Sequence, residues 1–235
     1  MERLGVVIVA AGKGSRMQST VSKQFMILKN KPILAHTIEV FEQVQEVTEI
    51  VIVTGAADIE RVNQYKNQYH WQKIKTVVPG GADRQESVYE GLKAISDEVE
   101  WVLIHDGVRP LISPEAIKRV WAGARQTGAA VLAVPVKDTI KQVSESGEIV
   151  ATPKRTSLRA IQTPQAFRRS LIQAAYEQAK EKGWQGTDDA SLAEYMGHSV
   201  MTIEGDYRNL KITTPEDMAV AERLLQAETG SQGTM

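Results

Sequence analysis

A chain of 235 residues with 42% hydrophobic residues is long enough to bury one large α/β core without disulfides or a structural metal. A net charge of −1 excludes a protein that coats nucleic acid, and the lack of cysteine excludes disulfides and thiolate zinc sites. No run approaches the ~18 apolar residues of a membrane-spanning helix, and only Met1, Glu2 and Arg3 precede the first apolar run, so a soluble cytoplasmic protein is expected.

The first predicted element is a strand, Leu4 to Ala10, whose uncharged β-branched run suits a parallel strand covered on both faces. It feeds a loop in which Ala10, Ala11, Gly12 and Gly14 let a ligand approach the main chain, while Arg16 and Lys23 supply cations. A dinucleotide fingerprint would need glycine where Met17 stands, and a P-loop would need Ser or Thr after Gly12-Lys13. What remains is a plain glycine-rich βα turn or a different kind of polyphosphate loop. The strand, AAGxGxRM and the downstream Lys resemble nucleotidyltransferases that join a nucleotide to a sugar or polyol phosphate.

A helix is predicted from Ile33 to about Val44, with His36 on its packing face. A strand, Glu49 to Thr54, and a polar helix, Asp58 to about Tyr69 with Asp58 as its cap, come next. Strand Ile74 to Val78 runs into a second glycine turn, Pro79 to Arg84, and a helix from Arg84 to Ile95. Two glycine turns at the carboxyl ends of strands point to one crevice. Strand Trp101 to His105 delivers Asp106, placed either to hold a divalent cation over phosphates or to act as an ordinary turn former. Arg109 either binds phosphate or pins the turn by pairing with Asp106. Helix Glu115 to Gln126 and strand Ala129 to Pro135 complete a βαβα rhythm.

That rhythm breaks from Val136 to Gln165, a polar, alternating stretch read as a hairpin arm that buries its faces on a partner, or as a solvated loop. Arg155 and Arg159 lie on its return limb. Helix Arg168 to Lys182 ends at Gly183, and a further helix begins at Thr187, expected to be its N-cap, with Asp188 and Asp189 favoured by the helix dipole. After strand His198 to Glu204 and the segment Asn209 to Ile212, Thr214 caps a last helix with Asp217 in the acid position of a capping box. Residues 1–228 are read as one domain, with an arm at about 136–165 and a disordered tail at 229–235.

Eight motifs occur in order over nearly the whole chain: AAGKGSRM, SKQF, PGGADRQESV, HDGVRP, PVKDTIK, QTPQAF, GTDDASL and NLKITTPED. Together they resemble the 2-C-methyl-D-erythritol 4-phosphate cytidylyltransferases of the non-mevalonate isoprenoid pathway. The resemblance implies a single Rossmann-like α/β domain with a mostly parallel central sheet and a protruding β-arm, forming a homodimer through interlocking arms. It implies transfer of CMP from CTP to the methylerythritol phosphate with Mg²⁺, by in-line attack of the acceptor phosphate on the α-phosphorus. By the same resemblance, Arg16 and Lys23 stabilise the transition state. Ala10, Ala11, Gly12, Gly14, Gly81, Asp83, Arg84 and Ser87 bind CTP. Asp106 lies near the metal and acceptor, and Arg109, Arg155, Thr163, Thr187 and Lys211 position the acceptor, with the matching Arg155 coming from the partner's arm. Arg159 stands where many relatives carry an aromatic residue. The rival readings are a ribitol 5-phosphate cytidylyltransferase and a non-catalytic nucleotide-binding module.

Overall fold

The computed structural model describes residues 2–12 and 21–231. In chain order, β1 (Leu4–Ala10) is followed by β2 (Ile27–Leu28), β3 (Lys31–Pro32), α1 (Ile33–Gln43), β4 (Val47–Thr54) and α2 (Ile59–Gln68). Next come β5 (Ile74–Pro79), α3 (Arg84–Ala94), β6 (Trp101–Asp106), α4 (Pro114–Thr127) and β7 (Ala129–Pro135). The last third contains β8 (Gln142–Val143), β9 (Ile149–Ala151), β10 (Arg159–Arg168), α5 (Arg169–Lys182), α6 (Asp189–Tyr195), β11 (Met201–Glu204) and α7 (Pro215–Ser231).

Seven strands form one sheet in the order β11-β7-β10-β6-β1-β4-β5. Only β10 runs against the rest, pairing antiparallel with both β6 and β7. The chain moves outward from β1 through β4 to β5, then returns to the other side of β1 with β6. That reversal makes a topological switch point, and the crevice beyond the carboxyl ends of β1, β4, β5 and β6 is where such sheets bind ligands.

Period-two alternation explains why β1 is apolar throughout. Leu4, Val6 and Ile8 pack in a layer with residues of α1, α2 and α4, while Val7 packs on the opposite layer with residues of α3, α5 and α6. Gly91 lets α3 lie directly on the sheet, since a Cβ there would fall 2.4 Å from Val7 Cγ1. The N-terminus of α3 is thereby held over the end of β1. A third cluster, Leu28, Ile33, Val108, Ile212 and Ala221, seats α7 behind the β6 turn.

Several local expectations need correction. The return limb of the polar stretch is not arm from 159 onward. Arg159–Arg168 is β10, with Gln162 to Phe167 buried between β6 and β7. Its polar side chains are satisfied inside: Gln165 Nε2 donates to Asp188 Oδ2 and its Oε1 accepts from the Ala190 N–H. The antiparallel hairpin of β8 and β9 projects before it, exposing Val143, Ile149 and Val150. Thr187 does not cap α6. Asp188 does, accepting from the Ser191 N–H in a capping box. Asp58 precedes α2 without a capping hydrogen bond and pairs with Arg61 at 3.3 Å. Asn209 to Ile212 forms no strand, and α7 runs to Ser231, past the boundary read at 228.

Candidate active site

Two cavities meet beyond the carboxyl ends of β1 and β6. The first, of about 390 Å³, is lined by Ala10, Ala11 and Gly12 from the end of β1, Lys23 and Gln24, and the turn from Gly81 to Arg84 with Ser87. Gln24 fixes its floor by donating to Ala10 O at 2.7 Å from a buried side chain. The β5–α3 turn is tied by its own side chains. Asp83 Oδ1 caps α3 by accepting from the Glu86 N–H at 2.8 Å, and Ser87 Oγ donates to Asp83 O at 2.7 Å and accepts from the Gly81 N–H at 3.2 Å. Gly80 is required because a Cβ there would lie 2.5 Å from the Ala11 Cβ. Two backbone turns of small residues thus face one another across a space suited to a planar ring and a polyphosphate.

The second cavity, of about 300 Å³, is lined by Thr163 and Gln165 from β10, Thr187 and Asp188 before α6, and Arg109. Arg84, Asp106 and Lys211 line both cavities and form the wall between them. Asp106 Oδ1 accepts from Arg84 Nε at 3.1 Å, and Oδ2 pairs with Lys211 Nζ at 2.8 Å and lies 3.7 Å from Arg109 Nε. Burial alone would push the Asp106 carboxyl up; Arg84, Lys211 and Arg109 outweigh it and hold the group well below the usual carboxylate range. The carboxylate is therefore ionised at any physiological pH.

Hydrogen bonds fix the backbone behind that wall. Thr163 Oγ accepts from the Asp106 N–H at 3.0 Å and so turns its own proton toward His105 Nδ1, also at 3.0 Å. His105 Nε2–H is then left to donate to Arg109 O at 3.2 Å. Burial pushes His105 down to about 3, so this ring is a neutral strut. Arg109 Nη1 donates to Asn209 O at 2.7 Å, and Asn209 Nδ2 donates to Thr163 O at 2.8 Å. These bonds carry Lys211 into the wall.

The sequence-predicted residues divide accordingly. Ala10, Ala11, Gly12, Lys23, Gly81, Asp83 and Ser87 line the first cavity, and Arg109, Thr163 and Thr187 the second, with Arg84, Asp106 and Lys211 in both. Arg155 lies in neither; it is exposed on the arm, where Nη1 donates to Lys137 O at 2.9 Å. Gly14 and Arg16 lie outside the described residues. His36 is remote, bonded to Leu28 O. Sequence reasoning missed Gln24, His105 and Asp189. Asp189 is fully buried and grips Arg84 through both oxygens at 2.9 Å. The one available signal was the pair of adjacent acids at a helix start where only one can be the cap.

The family model for 2-C-methyl-D-erythritol 4-phosphate cytidylyltransferase matches residues 4–227, which takes in both cavities. The chain belongs to this family. A family member from Halalkalibacterium halodurans is 50% identical, with 94% of this chain and 96% of that protein covered. One from Alkaliphilus oremlandii is 46% identical over 96% of each. The crystal structure of 4-diphosphocytidyl-2C-methyl-D-erythritol synthase from Anaerococcus prevotii superposes with a TM-score of 0.86 at 34% identity, covering 96% of both chains. The fold is thus the α/β cytidylyltransferase fold, and the chain is an enzyme of that class. Among the described residues no helix is long and apolar enough to cross a membrane.

Proposed function

We propose that this cleft transfers CMP from CTP to the phosphate of 2-C-methyl-D-erythritol 4-phosphate, releasing pyrophosphate. The observation that carries the reading is the shared wall. A buried, ionised Asp106 stands between a cavity of backbone turns and a cavity of polar side chains, surrounded by Arg84, Arg109 and Lys211. Arg84, Arg109, Lys211 and, on the CTP side, Lys23 are matched by Asp106, Asp189, Asp83 and Asp188, and three of the four cations are gathered at Asp106. Asp83 and Asp188 each give an oxygen to a helix cap, which leaves the cations of the wall as the groups placed to meet two phosphorylated substrates.

The chemistry follows from the charges. An acceptor phosphate oxygen attacks the α-phosphorus in line and the pyrophosphate leaves from the opposite side. The acceptor is already an anion, so no general base is needed, and His105, held neutral behind the wall, is not asked to be one. Catalysis consists of positioning and of stabilising charge on the oxygens around phosphorus. Lys23 and, from the loop outside the described residues, Arg16 are assigned that charge stabilisation. Thr163, Thr187 and Lys211 are assigned the acceptor.

A Mg²⁺ cofactor fits the donor set. Among the described residues no three His, Cys, Asp or Glu side chains cluster to hold a metal unaided, while a single ionised carboxylate facing a triphosphate is how Mg²⁺ is usually held. Asp106 would hold it with the CTP phosphates, and the ion would neutralise charge on them. A homodimer is assigned to the arm, on the exposed Ile140, Val143, Ile149 and Val150 and on the distance of Arg155 from its own cleft. A cytoplasmic location goes with a nucleoside triphosphate substrate.

Pyrophosphate release with CTP and Mg²⁺ tests the reading, comparing methylerythritol 4-phosphate with ribitol 5-phosphate at matched concentrations. A clear preference for the first is expected. A preference for ribitol 5-phosphate would keep the mechanism and replace the acceptor, and no release with either would leave a nucleotide-binding module.

A further inference from the structure

Asp189 is the most deeply buried carboxylate near the cleft, and neither capping nor the helix dipole accounts for its contacts. Asp188 is the cap of α6, so the cap position is already filled. Asp189 instead points into the protein. Its Oδ1 accepts from Arg84 Nη1 at 2.9 Å and from the Tyr176 hydroxyl at 2.5 Å, and its Oδ2 accepts from Arg84 Nη2 at 2.9 Å. The two residues are 105 positions apart in sequence. Tyr176 is itself buried and stacks on Tyr89 of α3, so the acceptor end of this fork has no freedom to swing.

The geometry matters because Arg84 has two carboxylates within reach. A guanidinium next to a carboxylate closes on it with its two-pronged face when nothing prevents it. Here that face is occupied by Asp189, and Arg84 offers Asp106 only its single Nε–H, at 3.1 Å. Asp106 Oδ2 therefore stays with Lys211, and the aspartate keeps its place in the lining of both cavities. Stability is a poor explanation for the arrangement, since a buried ion pair is often no better than apolar packing of the same volume.

We propose that Asp189 is a positioning residue for cytidylyl transfer: by holding the Arg84 fork, it keeps Asp106 from being clamped bidentately and leaves it to Lys211 and the substrates. Tyr176 steadies Asp189 through one hydrogen bond, while the fork itself is held by the two carboxylate oxygens. The charge sign gives the role a signature that mere damage cannot imitate. Asp189→Asn takes a negative charge out of the wall, so anion binding is not weakened, while the freed Arg84 turns on Asp106 and turnover falls.

The inference rests on the transfer reading above, and the experiment separates the two. CTP affinity is measured by calorimetry, kcat by pyrophosphate release and Tm by thermal melting, for the wild type, Asp189→Asn, Asp189→Ser and Tyr176→Phe. An inactive wild type fails the transfer reading. With an active wild type, Asp189→Asn is expected to lose at least tenfold in kcat with CTP Kd unchanged or tighter. Tyr176→Phe loses Tm but keeps kcat within threefold. Asp189→Ser, which also takes the carboxylate away from the Arg84 fork, shows the same kcat loss with CTP binding retained, and it decides the matter if Asp189→Asn does not fold. The proposal is overturned if Asp189→Asn or Asp189→Ser turns over within threefold of wild type. It is equally overturned if kcat and CTP affinity decline together across the variants in step with Tm.

Discussion

The two cavities of the cleft are built by different means. The CTP-side cavity is made of short, contiguous turns, Ala10 to Gly12 and Gly81 to Ser87, whose polar side chains serve their own backbone. The acceptor-side cavity draws on single residues delivered by remote elements: Thr163 from a reversed strand, Thr187 from before α6, Lys211 from the stretch leading to α7. Local turns give a rigid cradle that any nucleotide of the right shape can use. A site assembled from far-apart positions can vary one contact at a time, so acceptor choice is expected to reside there.

The sharpest way to break this division is at the carboxylate that belongs to both sides. Asp106→Asn removes the charge that Arg84, Lys211 and Arg109 share, leaving them to repel across a part-buried wall. A loss of about 3 kcal/mol in stability is expected, at the low end for a broken buried pair because Arg84 and Lys211 are partly exposed. In pyrophosphate release, kcat should drop at least a hundredfold and both KM values should shift. If only one KM moved, Asp106 would belong to one cavity and the wall would have to be drawn elsewhere.

Two milder variants should sharpen the contrast by moving opposite parameters. Lys211→Ala removes a cation from the acceptor side and should raise the acceptor KM about tenfold or more, with the KM for CTP changed less. Ser87→Ala removes the hydroxyl that joins the Gly81 N–H to Asp83 O. One such bond is worth about 1 kcal/mol, so the KM for CTP should rise about fivefold while the acceptor KM stays put. Initial-rate measurements with each substrate varied in turn would show the crossing. Parallel changes in both KM values for either variant would mean that the two sides move as one unit.

The same contrast governs what the amino-acid order revealed. The β1 strand, both glycine turns and most helices are written in contiguous patterns of period, cap and turn residue. The wall is so only in part: Arg109 stands three residues from Asp106 and is legible as a turn pairing, whereas the pairings of Arg84 with Asp106 and Asp189 join positions 22 and 105 residues apart. Lys211 and Thr187 could be named only through the family resemblance, and Asp189 was hidden by a neighbour that does the capping. β10 was misread for a physical reason. Gln162, Thr163 and Gln165 are polar, and Pro164 breaks the register between Ile161 and Gln165, so the segment has the look of an exposed arm. Those polar groups are buried because they line and brace the site, which composition by itself does not disclose.

His105 gives the smallest effect on turnover and the cleanest test of whether the wall has a neutral backing. Burial takes its pKa from an ordinary 6.5 down to about 3. Above pH 6.5 neither the folded nor the unfolded chain protonates the ring, so His105 adds no pH dependence there. Below 6.5 the unfolded chain takes up a proton that the folded ring refuses until about pH 3, and folding stability falls as pH falls. At about 1.4 kcal/mol per pH unit, the contribution by pH 5 is about 2 kcal/mol. His105→Gln keeps an acceptor for Thr163 and a donor for Arg109 O without a titrating ring. Its kcat at pH 7.5 should remain within a few-fold of wild type. Urea melts at pH 7.5, 6 and 5 should show the variant losing about 2 kcal/mol less than wild type across that range. Equal losses would mean that His105 takes up its proton in the folded protein, which would put a cation beside Asp106 and make the backing of the wall part of its charge.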